Sequence, residues 1–129
     1  MGDRIKVRYD GANLLRQVGG NRRLAMTLMK TFVEDLPRIM SRLRRAIRDG
    51  KPSAISTLGH DSKSTFSLLN FEHAHDLAAY LHRHAWDDEP DLIARLSELE
   101  LEITAARAIA KKILTKKLAL ETVIELSNE

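Results

Sequence analysis

The 129-residue sequence has no cysteine, few aromatic residues and no long apolar run. Without cysteine, the chain has neither a disulfide framework nor a thiolate metal site, and its composition fits a reducing compartment. No stretch approaches the roughly 18 consecutive apolar residues of a membrane-spanning helix, and the first residues lack the apolar segment of a signal peptide. We therefore expect a cytoplasmic protein that does not interact with a membrane.

Apolar and charged residues are both abundant. Apolar residues make up 43% of the sequence and charged residues 30%, which is enough apolar surface for the core of one domain. The formal net charge is +3, from 21 Lys and Arg against 18 Asp and Glu that are mixed along the chain. This balance favours acidic partners only slightly.

Helical periodicity runs along nearly the whole chain, and the one possible strand is Ile5-Lys6-Val7-Arg8. Apolar residues recur at steps of three and four, as they do on the buried face of an amphipathic helix. In the second predicted helix these residues are Leu24, Leu28, Phe32, Leu36, Ile39, Leu43 and Ile47. The predicted helices are separated by helix-ending or capping residues, at Gly19-Gly20, Asp49-Gly50, Asn70 and Asp87 to Pro90. The pattern predicts an all-α fold: an antiparallel four-helix bundle with a short N-terminal helix and a long C-terminal helix.

Three segments are expected from this pattern. Residues 1–9 form an N-terminal arm, residues 10–115 form the bundle, and residues 116–129 form a C-terminal helical extension. In the extension, apolar residues resume the helical spacing at Leu120, Val123 and Ile124. We expect this extension to project beyond the bundle toward a partner, or to mediate self-association through those three residues.

The third predicted helix carries a histidine on a face that is otherwise small and polar. At about 100° per residue, its buried side is made by Ile55, Leu58, Ser62, Phe66 and Leu69. His60 points about 150° away from that side, so it faces solvent. Its neighbours on the outer face are Ser53, Ser56, Ser64 and Ser67. Lys63, three residues on, can place an ammonium group beside the imidazole.

The repeated serines allow two interpretations of His60. A solvated surface histidine among solubilising residues is the simpler one. However, serine is a weaker helix former than Glu, Lys or Arg, so a surface selected for stability would not choose it repeatedly. The small outer face is therefore hard to explain by solubility alone.

These residues resemble the histidine-containing phosphotransfer (HPt) domain of multistep two-component signalling. The signature of that family is His-x-x-Lys-Gly on the second long helix of a four-helix bundle, and here it reads His60-Asp61-Ser62-Lys63-Ser64. Upstream, the matching positions are Leu14-Leu15, Gly19-Gly20-Asn21, Phe32, Asp35, Pro37, Leu43, Ala46 and Asp49-Gly50. The resemblance covers about residues 10 to 115, and Ser64 replaces the usual glycine.

The resemblance implies that the chain relays a phosphoryl group between receiver-domain aspartates, carried on His60 and supported electrostatically by Lys63. It also implies a receiver-docking surface at Ser56, Ser64 and Ser67. The expected partners are receiver domains of response regulators or hybrid histidine kinases, and Mg²⁺ is expected in the partner's receiver rather than in this chain. The sequence has no glycine-rich nucleotide loop, so we expect a phosphoryl carrier without its own ATP site rather than an enzyme.

Two further functions are alternatives to the relay. One is a degenerate HPt-like adaptor that docks receivers without phosphotransfer. The other is nucleic-acid binding through a helix rich in arginine, at Arg22, Arg23, Arg38, Arg42, Arg44, Arg45 and Arg48. Because acidic residues interrupt that helix and aromatic residues are scarce, we expect no nucleic-acid partner.

The fourth predicted helix contains four histidines, which raises the possibility of a metal site. They are His73, His75, His82 and His84. Residues two apart on a helix diverge by about 200°, so neither close pair can chelate a metal from one face. We therefore expect no metal site and interpret these residues as surface histidines at the rim of the bundle.

Overall fold

The structure is a computed structural model that describes the backbone of residues 6–127 and the side chains of residues 8–125. Over this range the chain forms a strand, five helices and a second strand. The elements in order are β1 (Lys6–Asp10), α1 (Gly11–Gln17), α2 (Arg22–Arg48), α3 (Pro52–Leu69), α4 (Glu72–Arg83), α5 (Glu89–Leu114) and β2 (Val123–Ser127).

Local sequence signals set the ends of the helices. Asp10 caps α1 by accepting a hydrogen bond from the Asn13 backbone, and Asn21 caps α2 by accepting one from the Leu24 backbone, at 2.9 and 3.0 Å. Pro52 occupies the first turn of α3, where its missing N–H removes no helical bond. Asn70 ends α3 in the left-handed conformation with φ 63°.

Helices α2 to α5 form the four-helix bundle that the periodicity predicts. Each packs against two others, in the cyclic order α2, α3, α4, α5. Buried apolar residues of the four helices form one continuous core, so the predicted all-α fold class is confirmed, although Leu24 of the predicted stripe is 43% exposed. Pro37 lies inside α2, where it cannot donate to the Val33 carbonyl one turn earlier. The Arg107 Nε of α5 donates to that carbonyl instead, at 3.3 Å.

The two chain ends form a β-ribbon, and this corrects the expected helical extension over residues 116–129. Helix α5 ends at Leu114, and Lys116 adopts the left-handed conformation with φ 62°. After a turn, β2 pairs antiparallel with β1, from Lys6 opposite Ser127 to Asp10 opposite Val123. The spacing of the apolar residues in the tail fits a helix, but β-branched Val123 and Ile124 also fit a strand with one face covered.

The tail is part of the core rather than an overhang. Leu120 is 3% exposed, so it is buried within its own chain and cannot mediate the expected self-association. The Tyr9 hydroxyl donates to the Leu120 carbonyl at 3.0 Å. Gly11 approaches so closely that a Cβ there would lie 1.7 Å from that same oxygen. The expected N-terminal arm of residues 1–9 contributes β1 from Lys6 onward, while residues 1–5 and 128–129 lie outside the described part.

None of the helices between residues 6 and 127 combines the length and the apolar character that crossing a membrane requires.

Candidate functional site

His60 lies in the middle of α3 with its side chain 55% exposed. The opposite side of the helix is buried at Ile55, Gly59, Ser62, Phe66 and Leu69, while Leu58 is half-buried. This burial agrees with the predicted orientation of the helix. His60 therefore presents its imidazole to solvent from a rigid element.

Three hydroxyl groups that follow His60 in the sequence are bonded to their own helix. Ser62 donates to the Leu58 carbonyl at 2.7 Å and Ser64 to the His60 carbonyl at 3.2 Å. Thr65 donates to the Asp61 carbonyl at 3.3 Å. Of these three residues, Ser64 lies on the exposed face with His60, and because its hydroxyl folds back one turn, it adds little height to that surface. The serine side chains on the exposed face therefore rise little above the helix backbone around the imidazole.

The predicted docking serines do not share one environment. Ser64 and Ser67 are exposed beside His60, as expected for a docking surface. Ser56 is instead half-buried, and its hydroxyl lies 3.1 Å from Nδ1 of His82 on α4. Ser56 therefore belongs to the contact between α3 and α4.

Helices α3 and α4 come close together at Gly59, the residue before His60. A Cβ at Gly59 would lie 2.8 Å from the His82 backbone nitrogen and 3.0 Å from the Ala78 carbonyl oxygen. Both of those atoms belong to the α4 backbone and cannot rotate away, so only glycine fits at this crossing. The close approach places the side chains of α4 next to His60.

His82 is a neighbour of His60 that the sequence did not reveal. Its ring centroid lies 5.3 Å from that of His60, and the two planes meet edge to face at 61°. Its Nδ1 lies 2.9 Å from the Ser56 carbonyl oxygen. The expectation that all four histidines of the fourth predicted helix are rim residues is therefore wrong for His82. The only sequence signal for this contact is the glycine immediately before His60.

The remaining polar groups near His60 are Asp61 and Lys63. One carboxylate oxygen of Asp61 lies 3.5 Å from His60 Nδ1, at the outer limit of a hydrogen bond. Lys63 is half-buried on the same helix. Among the described residues its ammonium group has no hydrogen-bond or ion-pair partner, so it is available to an incoming anion.

The other three histidines of the fourth predicted helix have separate partners, and one of them, His84, is the C-cap residue of α4. His73 Nε2 lies 3.7 Å from the buried carboxylate of Glu102, His75 lies beside Asp76, and His84 Nδ1 is 2.8 Å from Asp87. Between residues 6 and 127, no three side chains of metal-binding type converge on one point.

Four of the seven arginines of the α2 segment are paired with carboxylates. The pairs are Arg22 with Glu121, Arg38 with Asp35, Arg44 with Glu100 and Arg48 with Asp49. The paired carboxylates offset much of the positive charge that the arginine count suggests. The basic surface is therefore smaller than the sequence implies.

Comparison with known proteins gives one family and one fold. The family model described as "Hpt domain" matches residues 27–109, which is more than half of the chain and includes His60. No curated protein is similar enough in sequence to count as a match.

A similar solved structure is the HPT domain from the Hpt sensor hybrid histidine kinase of Shewanella. It superposes with a TM-score of 0.75 over 86% of this chain and 96% of that chain, at 17% sequence identity. At that identity the likeness establishes the shared fold. The family and the fold together support a phosphotransfer-type role in two-component signalling. On this evidence, the chain belongs to the Hpt domain family.

Proposed function

We propose that this chain relays a phosphoryl group between the aspartates of receiver domains, with His60 as the carrier. The observation that supports this most directly is an exposed imidazole on a rigid helix within the region that matches the family. Ser64 and Ser67 leave that imidazole accessible to a domain-sized partner.

The proposed step needs few groups from this chain. In the neutral imidazole one nitrogen has a free lone pair, and the Asp61 contact at Nδ1 favours Nε2 for that role. Nε2 attacks the phosphorus of an aspartyl phosphate on the partner. As the N–P bond forms, the O–P bond to the aspartate breaks and the aspartate leaves as a carboxylate. Transfer to the next receiver reverses these steps.

Lys63 and the partner's metal would neutralise charge during transfer. Phosphoryl transfer depends mainly on positioning and on stabilising the charge of the phosphoryl oxygens. Lys63 has an unpaired ammonium group on the same face as His60 and serves as electrostatic support. Mg²⁺ belongs to the receiver in this proposal, and this chain acts as a carrier without an ATP site of its own.

The test is transfer of label from a phosphorylated receiver in the presence of Mg²⁺. The parent chain should gain the label, and His60→Gln should gain none because the glutamine side chain lacks the nucleophilic nitrogen. His75→Gln is the matched control, since it removes another partly exposed histidine, and it should be labelled like the parent. Equal labelling of His60→Gln and the parent would contradict the proposal.

Two outcomes separate the relay from an adaptor. Lys63→Ala should slow labelling by about tenfold without stopping it, because it removes charge support and leaves the nucleophile. A parent chain that binds phosphorylated receivers but never gains label, across a panel of receivers, would favour an adaptor that docks without transfer.

A further inference from the structure

The side of His60 that faces α4 is occupied by a second imidazole. The rings of His60 and His82 pack edge to face with their centroids 5.3 Å apart. Offset and edge-to-face arrangements are the favourable geometries for aromatic pairs. The His60 ring is thus in contact with a neighbour on one side while its other side faces solvent.

The orientation of His82 is fixed from α3. Its Nδ1 lies 2.9 Å from the Ser56 carbonyl oxygen, and a carbonyl oxygen can only accept a hydrogen bond. The proton of the neutral ring must therefore be on Nδ1, which donates to Ser56. The Ser56 hydroxyl at 3.1 Å adds a second contact to the same nitrogen. These two contacts hold the ring against Ser56 of α3.

The backbone holds the two histidines in register. Gly59 and His60 are adjacent in α3, and the backbone of His82 would lie 2.8 Å from a Cβ at residue 59. No side chain separates the helices at this point, so the position of His82 relative to His60 depends on backbone contact. Backbone contact between two helices is more rigid than contact through long side chains.

We infer that His82 is a positioning residue for the phosphoryl carrier. It holds the His60 ring against α4 and limits its rotation, while Ser56 and Gly59 hold His82. This role rests on the proposed function of His60. A restrained nucleophile meets the phosphorus in a reactive geometry more often than a freely rotating one, and small misplacements of reacting groups are costly.

The test compares His82→Ala, His82→Gln and the control His75→Ala in single-turnover transfer from a labelled receiver. His82→Ala should lower the maximal transfer rate by about tenfold, within the range for lost orientation. The receiver concentration at half-maximal rate should change less than about twofold, because His82 is half-buried and contributes little docking surface. His82→Gln should restore most of the rate, since its amide can fill the space and donate to Ser56. His75→Ala should match the parent.

A spectroscopic measurement separates positioning from a general loss of structure. Nitrogen–proton correlation spectra of the imidazole rings should show the proton of neutral His82 on Nδ1. His82→Ala should shift the ring signals of His60, and His75→Ala should leave them unchanged. If His82 had a merely structural role, its replacement would instead shift backbone amide signals throughout α3.

The failures of the two proposals are distinguishable. A parent chain that gains no label overturns the relay itself. A parent chain that gains label while His82→Ala transfers at the parent rate, or while His82→Gln is as slow as His82→Ala, overturns the positioning role of His82.

Discussion

The face around His60 and the ribbon of β1 and β2 are built in opposite ways. The face consists of one helix with small exposed side chains, and the Ser64 hydroxyl bonds within the same helix. The ribbon joins the two ends of the described chain through backbone pairing and buries Leu120. The first is held by local bonds and the second by contacts between residues far apart in sequence.

Because of this difference, substitutions in the His60 face should affect docking, whereas substitutions in the ribbon should affect stability. Exposed residues of the His60 face contribute little to the core, so substitutions there should change docking without unfolding the protein. Tyr9 of the ribbon stacks on Phe71, which lies between α3 and α4, with ring centroids 5.0 Å apart, and Phe71 in turn stacks on Phe32 of α2 at 5.3 Å. Substitutions that disrupt the ribbon should therefore also lower the stability of the bundle.

Removing residues 116–129 should destabilise the protein most. The deletion removes β2 and the buried Leu120, and truncating a single buried leucine already costs about 2 to 5 kcal/mol. The free energy of unfolding, measured by urea denaturation, should fall by at least that amount. Val123→Ala is the control, because Val123 is 65% exposed and its truncation should cost less than about 0.5 kcal/mol. A shortened chain as stable as the parent would show that the ribbon is dispensable.

Gly59→Ala should combine a loss of stability with slower phosphotransfer. The added Cβ would meet the α4 backbone at 2.8 Å, and overpacking of this kind costs about 1 to 3 kcal/mol. Displacement of α4 also moves His82 away from His60. Ser53→Ala, at an exposed position of the same helix, should gain a few tenths of a kcal/mol from helix propensity. A Gly59→Ala variant that is stabilised like Ser53→Ala would contradict the close approach of α3 and α4 at Gly59.

Tyr9 should make stability fall at alkaline pH. Burial raises the pKa of the Tyr9 phenol well above its ordinary value, with smaller contributions from the charges of Asp10 and Glu121. The neutral phenol is thus favoured in the folded state. This contribution is fully present below the unfolded pKa of about 10 and is lost as the pH rises toward the folded value.

Tyr9→Phe tests this by removing the titrating group and the hydrogen bond to Leu120. The variant should lose about 1 kcal/mol at neutral pH and should show a smaller decline in stability between pH 8 and 11. Urea unfolding at several pH values measures both effects. A decline as steep as in the parent would mean that Tyr9 is not responsible.

Changes at Ser64 should affect stability least and docking most. Ser64→Arg places a long side chain beside His60, so receiver-dependent labelling should fall at least tenfold while the free energy of unfolding changes by less than about 0.5 kcal/mol. Ser64→Gly should transfer at least as well as the parent, at a helix cost of roughly 0.5 to 1 kcal/mol. Unchanged transfer by Ser64→Arg would show that Ser64 is not part of the docking surface.

The sequence predicted the helices and the direction of His60 because both depend on local spacing. The 3.6-residue period determines which residues of α3 are buried, and the caps Asp10 and Asn21 mark where helices begin. His82 could not be found in this way. Its contact with His60 depends on how α3 and α4 cross, which is a property of two helices and of the glycine between them.

The ribbon was missed for a related reason. Its strands have five residues each and lie at opposite ends of the sequence, so the alternation at residues 5–8 indicates only a possible strand and gives no sign of its pairing with β2. Leu120, Val123 and Ile124 fit a helical stripe as well as a turn and a strand. Lys116 ends the helical region in the left-handed conformation, but no glycine or proline at that point predicts the end of the helix.

The central claim is that His60 alone carries the phosphoryl group. The most direct measurement is to label the chain from a phosphorylated receiver, cleave it at neutral or alkaline pH, and locate the phosphate by mass spectrometry. We predict a single acid-labile, alkali-stable phosphoramidate on the peptide that contains His60. Phosphate on His73, His75, His82 or His84, with His60 unmodified, would contradict the account.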